Sequence, residues 1–468
     1  MKIDISAKAS LWYTLCSILQ KACSMILIPL YVRLMSVDEY GIYTLFLSWE
    51  GIIMVFTTLN VANYAFNNCL IQNEDEKESI TSSLLGFIYV LTFFWIIVFC
   101  IFSNFWPNIF GMDINYILLV AADSLFVVII DLWMARQKFD FKYKNVVIIT
   151  ILGSLLKLAF GVYFVYYAQD KALVAILVYT LVQAFLALII SINIFYKGKK
   201  FFILKYWKYV ILFNIPLIPH LLSTRILQQA NRLIINKYCS VSDVAIYGFS
   251  SKITESMLIF NAAILSSLIP WTYRKIKNKE YSNINNSVFL SIVVIALLNL
   301  FLILLAPEVI NILGTDEYKD AIYIIPPVAL SVYFMYLFNV FVNVSYFYEA
   351  NKLIMIVSVI SAIINIVLNI FFIPYFGYMI AGYITLISYI LLFVMHIFLY
   401  KYVCKKNNIF DNIYDLKTII IFSLLFSIAG LLIIFLYDKT LIRYFISGSI
   451  ILIIISLKNR LLNNYKNE

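Results

Sequence analysis

Charge and histidine are scarce in this chain. Asp, Glu, Lys and Arg together make up 13% of 468 residues, against roughly 25% in ordinary soluble domains. The two histidines, His220 and His396, lie far apart and make no metal site. The six cysteines (Cys16, Cys23, Cys69, Cys100, Cys239 and Cys404) show no ligand spacing, and most fall in or near apolar runs. They read as small buried residues, with neither a metal centre nor a disulfide framework. A Walker A loop and a dinucleotide fingerprint are both missing, so direct use of ATP is not expected and no cofactor is implied. Long polar segments are missing as well: no loop exceeds about fifteen residues, which leaves no room for a soluble catalytic domain. The first apolar run, 9–34, is too long for a cleavable signal peptide and has no cleavage site. On these grounds the chain is not expected to be an enzyme.

Apolar residues supply 63% of the sequence. Hydropathy predicts spans at 10–34, 42–66, 81–104, 114–134, 146–167, 172–195, 209–238, 245–271, 287–305, 322–346, 353–373, 379–400, 418–436 and 442–457, each near the ~20 residues needed to cross a hydrocarbon core. The expected fold class is all-α, a polytopic membrane protein of about 14 transmembrane helices. Orientation follows from loop charge. Of the 35 Lys and Arg, only Arg33, Lys171, Lys319, Lys439 and Arg443 fall on the side opposite the N-terminus. Six more (Lys21, Lys157, Arg225, Arg232, Lys237 and Lys252) lie within spans. The rest share the side of the N-terminus, so both termini are expected in the cytoplasm, the protein lying multi-pass in the plasma (bacterial inner) membrane. The net charge of +10 is then a record of orientation, and no nucleic-acid partner is expected.

An internal repeat is visible. Ser36-Val37-Asp38-Glu39-Tyr40-Gly41-Ile42-Tyr43 aligns with Ser240-Val241-Ser242-Asp243-Val244-Ala245-Ile246-Tyr247, and in the same frame Lys21 meets Arg225 and Arg33 meets Lys237. Both copies join an outward-running span to the next, as in a parallel duplication about an axis along the membrane normal. The expected organisation is an N-terminal six-helix lobe (1–205), a C-terminal six-helix lobe (206–405) related to it by pseudo-two-fold symmetry, and two additional transmembrane helices with a cytoplasmic tail (406–468). Lobes rocking around a site at their interface would give alternating access.

Charges inside spans mark candidate sites, because an arginine at mid-bilayer costs ~2.5–3.5 kcal/mol on insertion scales. Arg225 and Arg232 are seven residues apart, about two turns, and so share a helix face. Gln228, Gln229, Asn231 and Asn236 widen it into a polar stripe. Lys21 lies about twelve residues, ~18 Å, into span 1, too deep to snorkel easily. With Lys252 these form a candidate cationic cavity for an anionic substrate; pairing with acids on neighbouring helices is the competing reading. Lys252 and Glu255 are three apart, which favours a self-neutralising pair. Glu50, Asp123, Asp131 and Glu255 are candidate coupling or charge-pairing acids; a bridge from Asp123 or Asp131 to Lys157 would be purely structural. Pro29, Pro216 and Pro219 deny backbone bonds and are hinge candidates. Asn365 and Asn369 are placed to bond between helices.

Four stretches carry a family likeness: IPLYVRLMSVDEYGIYTL at 28–45, the run IPLIPHLLSTRILQQANRLIINKYCSVSDVAIYGFSSKI at 215–253, LIPWTYRKIK, and NIVLNIFFIPYFGYMIAGYITL at 365–386. With the span pattern, the chain resembles the polysaccharide-transport flippases of the multidrug/oligosaccharidyl-lipid/polysaccharide exporter superfamily, those of O-antigen and exopolysaccharide repeat units. The resemblance implies a two-lobe helical fold with a basic cavity and a polyprenyl-diphosphate-linked oligosaccharide as substrate, moved to the outer leaflet for surface polysaccharide biosynthesis. Membrane lipid, a polysaccharide polymerase and a chain-length regulator are the implied partners. The family usually has an acid where Asn231 stands, so support of Arg232 by that neighbour is in doubt here. Two alternatives stay open: export of amphipathic cations or drugs, which predicts an acidic and aromatic cavity, and polymerisation of lipid-linked sugars, which needs a larger outer loop than any present.

Overall fold

The computed structural model describes residues 5–62, 64–281, 284–407, 409 and 413–466, with side chains described over 12–62, 65–281, 284–407, 409 and 413–453. Where nearly every side chain is apolar and no water is at hand, the backbone must satisfy its own hydrogen bonds, and the helix does so within one segment. Helices accordingly account for almost the whole described chain, in this order: α1 (Ile5–Leu34), α2 (Val37–Thr58), α3 (Tyr64–Gln72), α4 (Lys77–Ile101), α5 (Trp106–Phe110), α6 (Ile114–Phe139), α7 (Tyr143–Tyr167), α8 (Lys171–Gly198), α9 (Leu204–Asn214), α10 (Ile218–Tyr238), α11 (Val241–Glu255), α12 (Leu258–Lys277), α13 (Ile284–Leu304), α14 (Ala306–Leu313), α15 (Ile325–Phe347), α16 (Asn351–Phe376), α17 (Ile380–Lys406), α18 (Leu416–Leu432) and α19 (Thr440–Lys466). Among the described residues thirteen helical segments are long and apolar enough to span a membrane, and a shorter apolar helix, Thr440–Ile453, falls on the fourteenth expected span.

Three spans are interrupted. The predicted span 42–66 ends early, at Leu59 and Asn60, both in the left-handed region (φ 47° and 52°), and α3 follows. Span 7 breaks at Ile215–Leu217, a 3-10 turn bounded by α9 and α10 and carrying Pro216, with Pro219 in the first turn of α10; the two prolines remove donors from the helical ladder there. Span 8, expected to be continuous over 245–271, is broken between α11 and α12, where the Ser256 hydroxyl turns back to donate to the Ile253 carbonyl at 2.6 Å and the backbone makes i→i+3 bonds. α1 runs through Pro29 without a break.

By contact the chain divides into two compact units, 1–245 and 246–468. In the first, α2 packs on α6 and α10, α6 on α8 and α4, and α7 on α1 and α8. Its core is built from Phe66, Ile80, Leu84, Ile88, Ile129, Leu132, Ile190, Tyr206 and Val210, among others. Small residues allow the closest approaches: a Cβ on Gly86 would overlap the Phe201 carbonyl oxygen, and one on Gly198 the Glu78 carbonyl oxygen. In the second unit α15 is the hub, packed on α17, α13 and α12 and almost wholly buried. Asn365 Nδ2 donates across to Ser388 Oγ on α17 at 3.0 Å, the interhelical bond expected of it, whereas Asn369 Nδ2 donates back to the Asn365 carbonyl at 2.8 Å within α16. Packing assigns α9 and α10 to the first unit, whereas the duplication expected from sequence would place them in the second repeat. A repeat follows sequence and a unit follows contacts, so the two need not share a boundary.

The repeat has a structural counterpart at its two caps. Ser36 N–H donates to Glu39 Oε2 at 2.8 Å while Glu39 N–H donates to Ser36 Oγ at 3.2 Å. At the start of α11, Ser240 N–H donates to Asp243 Oδ2 at 3.0 Å and Asp243 N–H to Ser240 Oγ at 3.1 Å. Each is a reciprocal capping box. The Ser242 hydroxyl donates to Asp38 Oδ1, joining two positions that the alignment makes equivalent.

Candidate functional site

The polar stripe expected from sequence lies on α10, with Asn231 and Arg232 buried. Arg232 is 2% exposed, and its Nη1 donates to Gln229 Oε1 one turn earlier at 2.7 Å. A guanidinium in this setting requires such partners, because its desolvation is otherwise uncompensated. A Cβ added to Gly51 on α2 would lie 3.6 Å from Gln229 Cγ, so the two helices face each other there. Arg225 is half-buried; its electrostatic neighbour is Asp131 on α6, which Lys138 also serves. Lys21 on α1 is exposed at the protein surface, and neither Lys21 nor Arg225 forms an ion pair among the described residues. Lys252 Nζ lies 2.9 Å from Glu255 Oε2 at the end of α11, the self-neutralising geometry that their spacing favours.

A second constellation sits inside the first unit. Asp123 on α6 is completely buried, and Gln183 Nε2 from α8 donates to its Oδ1 at 3.0 Å. The charges bearing on Asp123 are those of Glu50 on α2 and Lys157 on α7. Lys157 Nζ also stands 3.8 Å from the centroid of the Tyr179 ring, a cation–π contact. Four helices thus bring two carboxyl groups, an ammonium, an amide and a phenol together. Asp123, and not Asp131, is the acid beside Lys157. Opposite charges bound in this way can neutralise each other, and a group of two acids and one base can also take up or release a proton.

Sequence reasoning missed two ionic anchors. Arg136 at the end of α6 reaches Glu78 Oε1 (3.1 Å) and Asp140 Oδ2 (2.6 Å), with Lys142 Nζ 3.2 Å from the same Asp140 oxygen. Burial pushes the Asp140 carboxyl up, but hydrogen bonds from Arg136 and Lys142 outweigh that and hold it below its ordinary range. The i, i+4 spacing of Arg136 and Asp140 was the available signal. Arg443, assigned from sequence to an outer loop, is 1% exposed. It grips Glu308 with both terminal nitrogens, Nη1 to Oε2 at 2.6 Å and Nη2 to Oε1 at 2.7 Å, and Nη1 also donates to the Leu304 carbonyl. Nothing in the spacing of residues 308 and 443 signals that pair. His396 is fully buried against Phe338. Among the described residues no cluster of three or more His, Cys, Asp or Glu could hold a metal.

The chain has the fold of the MOP superfamily of membrane proteins. It superimposes on a lipid II flippase MurJ in an inward closed conformation with a TM-score of 0.70 at 15% identity, over 96% of this chain and 99% of that one. A multidrug resistance MATE family transporter in an inward-facing conformation gives 0.63 at 14% identity, over 82% and 96% of the two chains. A MOP superfamily transporter from Pyrococcus furiosus, described as having a binding pocket of reversed polarity, gives 0.53 at 14% identity over 86% and 96%. At these identities the likeness is one of fold. Family membership comes from sequence: the polysaccharide biosynthesis protein family model matches residues 6–275, more than half of the chain, and the chain belongs to that family. A MatE model matches 216–371. No curated protein matches the sequence.

Proposed function

We propose that this protein is a flippase that carries a polyprenyl-diphosphate-linked oligosaccharide repeat unit from the cytoplasmic to the outer leaflet of the plasma membrane, for synthesis of a surface polysaccharide such as O-antigen, capsule or exopolysaccharide. The observation that carries the reading is the pair Arg225 and Arg232 on one face of a membrane-spanning helix, set among glutamines. Arginine is suited to a diphosphate because its planar fork bonds oxyanions bidentately. Lys21, aligned with Arg225 in the repeat, and Lys252 complete the cationic set. Membership of the polysaccharide biosynthesis family and likeness in fold to a lipid II flippase support a lipid-linked substrate. Transport of this kind breaks no bond, so the protein is not an enzyme.

In this reading the two repeats, 1–205 and 206–405, rock about the substrate, with 406–468 as an addition outside the twelve-helix core. The matched capping boxes and the Asp38–Ser242 bond support the duplication. The interruption at Pro216 and Pro219 serves as a hinge, with Pro29 as the corresponding candidate in α1. Glu50 and Asp123, beside Lys157, are the coupling acids; Asp131 and Glu255 are charge partners of Arg225 and Lys252. Both termini lie in the cytoplasm, and a polymerase and chain-length regulator receive the product. A drug-exporting role is the second reading, supported by the MatE match over 216–371 and the likeness to multidrug transporters.

The test is the lipid-linked sugar pool of cells lacking the protein, resolved by leaflet. Accumulation of a complete polyprenyl-diphosphate oligosaccharide on the cytoplasmic face, with loss of the surface glycan, is expected. An unchanged pool would favour the exporter, and intact units stranded outside unpolymerised would favour a polymerase.

A further inference from the structure

The turn between α8 and α9 is both strongly basic and built. Lys197, Lys199, Lys200, Lys205 and Lys208 are all exposed, and no acidic residue occurs in sequence between Asp170 and Asp243. Interleaved with them are Tyr196, Phe201, Phe202 and Leu204, each more than half exposed. The backbone beneath is clamped to α4. Ser82 Oγ donates to the Lys200 carbonyl at 2.5 Å and accepts from Lys200 N–H at 3.2 Å. Trp207 Nε1 donates to the Ser83 carbonyl at 2.9 Å, and the Tyr206 hydroxyl to Glu76 Oε2 at 2.6 Å. Gly198 and Gly86 lie against backbone where a side chain would collide.

The acidic loop 74–78 borders this turn: Glu76 accepts the Tyr206 hydroxyl, Glu78 pairs with Arg136, and Glu74 lies 3.7 Å from Lys77. Lys205 bonds Asn73. Lys197, Lys199, Lys200 and Lys208 make no ion pair among the described residues. Loop charge that serves only to orient a span needs neither a clamped backbone nor exposed rings alternating with the lysines. The turn joins two membrane-spanning helices, so it lies where the bilayer meets water. There, aromatic rings sit at head-group depth while lysines remain in the aqueous layer. A soluble polyanion would use the lysines and leave the rings in water, whereas a neutral head group would leave the charges unused.

We propose that the 196–208 turn is a binding surface for anionic phospholipid head groups, with Lys197, Lys199, Lys200 and Lys208 facing the phosphates and Phe201 and Phe202 entering the interface. It is independent of the substrate assigned above. On the orientation proposed, the turn faces the cytoplasmic leaflet, whose surface is negative.

The experiment uses the full-length protein in neutral detergent, titrated with phosphatidylglycerol, with phosphatidylcholine and with inorganic phosphate, and reads the apparent melting temperature. Phosphatidylglycerol should raise it, and the other two should not. Each lysine is worth roughly fivefold in affinity near an anionic surface. After screening, K197Q/K199Q/K200Q/K208Q should raise the phosphatidylglycerol concentration for half-maximal effect by at least about tenfold. F201A/F202A should raise it as well, while K401Q/K405Q/K406Q, at the exposed end of α17, should leave it unchanged. An equal response to phosphatidylcholine, a response to phosphate alone, an unaltered midpoint in the 197–208 variant, or an equal loss in the α17 variant would overturn the proposal.

Discussion

Replacing Arg443 by Ala isolates a single buried ion pair. The guanidinium is 1% exposed and makes three short bonds, two to Glu308 and one to the Leu304 carbonyl. Its removal strands a carboxylate that is 25% exposed. Breaking a buried pair from one side costs ~3–5 kcal/mol, and partial return of water to Glu308 places this case near the lower end, about 3 kcal/mol. For a unit of roughly 220 residues each kcal/mol moves the melting temperature by about 2–4 °C, so a fall of about 6–12 °C is expected. A thiol-reactive dye can follow exposure of Cys404, buried in α17, in a variant that keeps no other cysteine. The double variant Arg443→Met, Glu308→Gln should recover most of the loss, since no unpaired charge remains. The pair also has a pH signature. Burial pushes the Glu308 carboxyl up, but hydrogen bonds from Arg443 and Tyr444 win and hold it below its ordinary value. Its contribution is therefore complete above the unfolded carboxyl pKa of ~4.3 and fades as pH falls through the lower folded value. That acid limb should flatten in Arg443→Ala. A melting temperature within about 1 °C of the parent, or a double variant worse than the single one, would refute the reasoning.

Three further outcomes are expected. Arg225→Ala or Lys21→Ala should abolish repeat-unit transport at unchanged protein level in the membrane, while Arg225→Lys keeps part of it; normal transport by the Ala variants would end the cationic mechanism. Gly198→Val should cost about 1–3 kcal/mol through collision with the Glu78 carbonyl and Ser82, read as a lower melting temperature. Asp140→Asn removes a carboxylate held below its ordinary range by Arg136 and Lys142; its stabilisation is present above pH ~4 and lost on acidification, so the variant should melt lower at pH 7 and converge with the parent in acid.

The sequence by itself determined the class of fold. Long apolar runs in a chain with so little charge admit spanning helices and little else, because lipid offers the backbone no partners. Thirteen of the expected spans appear as such helices. The break at Pro216 was legible because proline acts locally, and the Lys252–Glu255 pair because i, i+3 geometry is local too. What required the tertiary structure was pairing across distance. Asp123 and Asp131 occupy similar positions on one helix, yet only packing decides that α7 presents Lys157 to the first and α10 presents Arg225 to the second. Arg443 looked like an outer-loop charge until α19 was seen to seat it against Glu308. The break after Glu255 carries no proline or glycine, and only the fold reveals it. Periodicity and local sterics are written residue by residue, whereas the neighbour that a buried charge meets depends on which helices come to lie side by side.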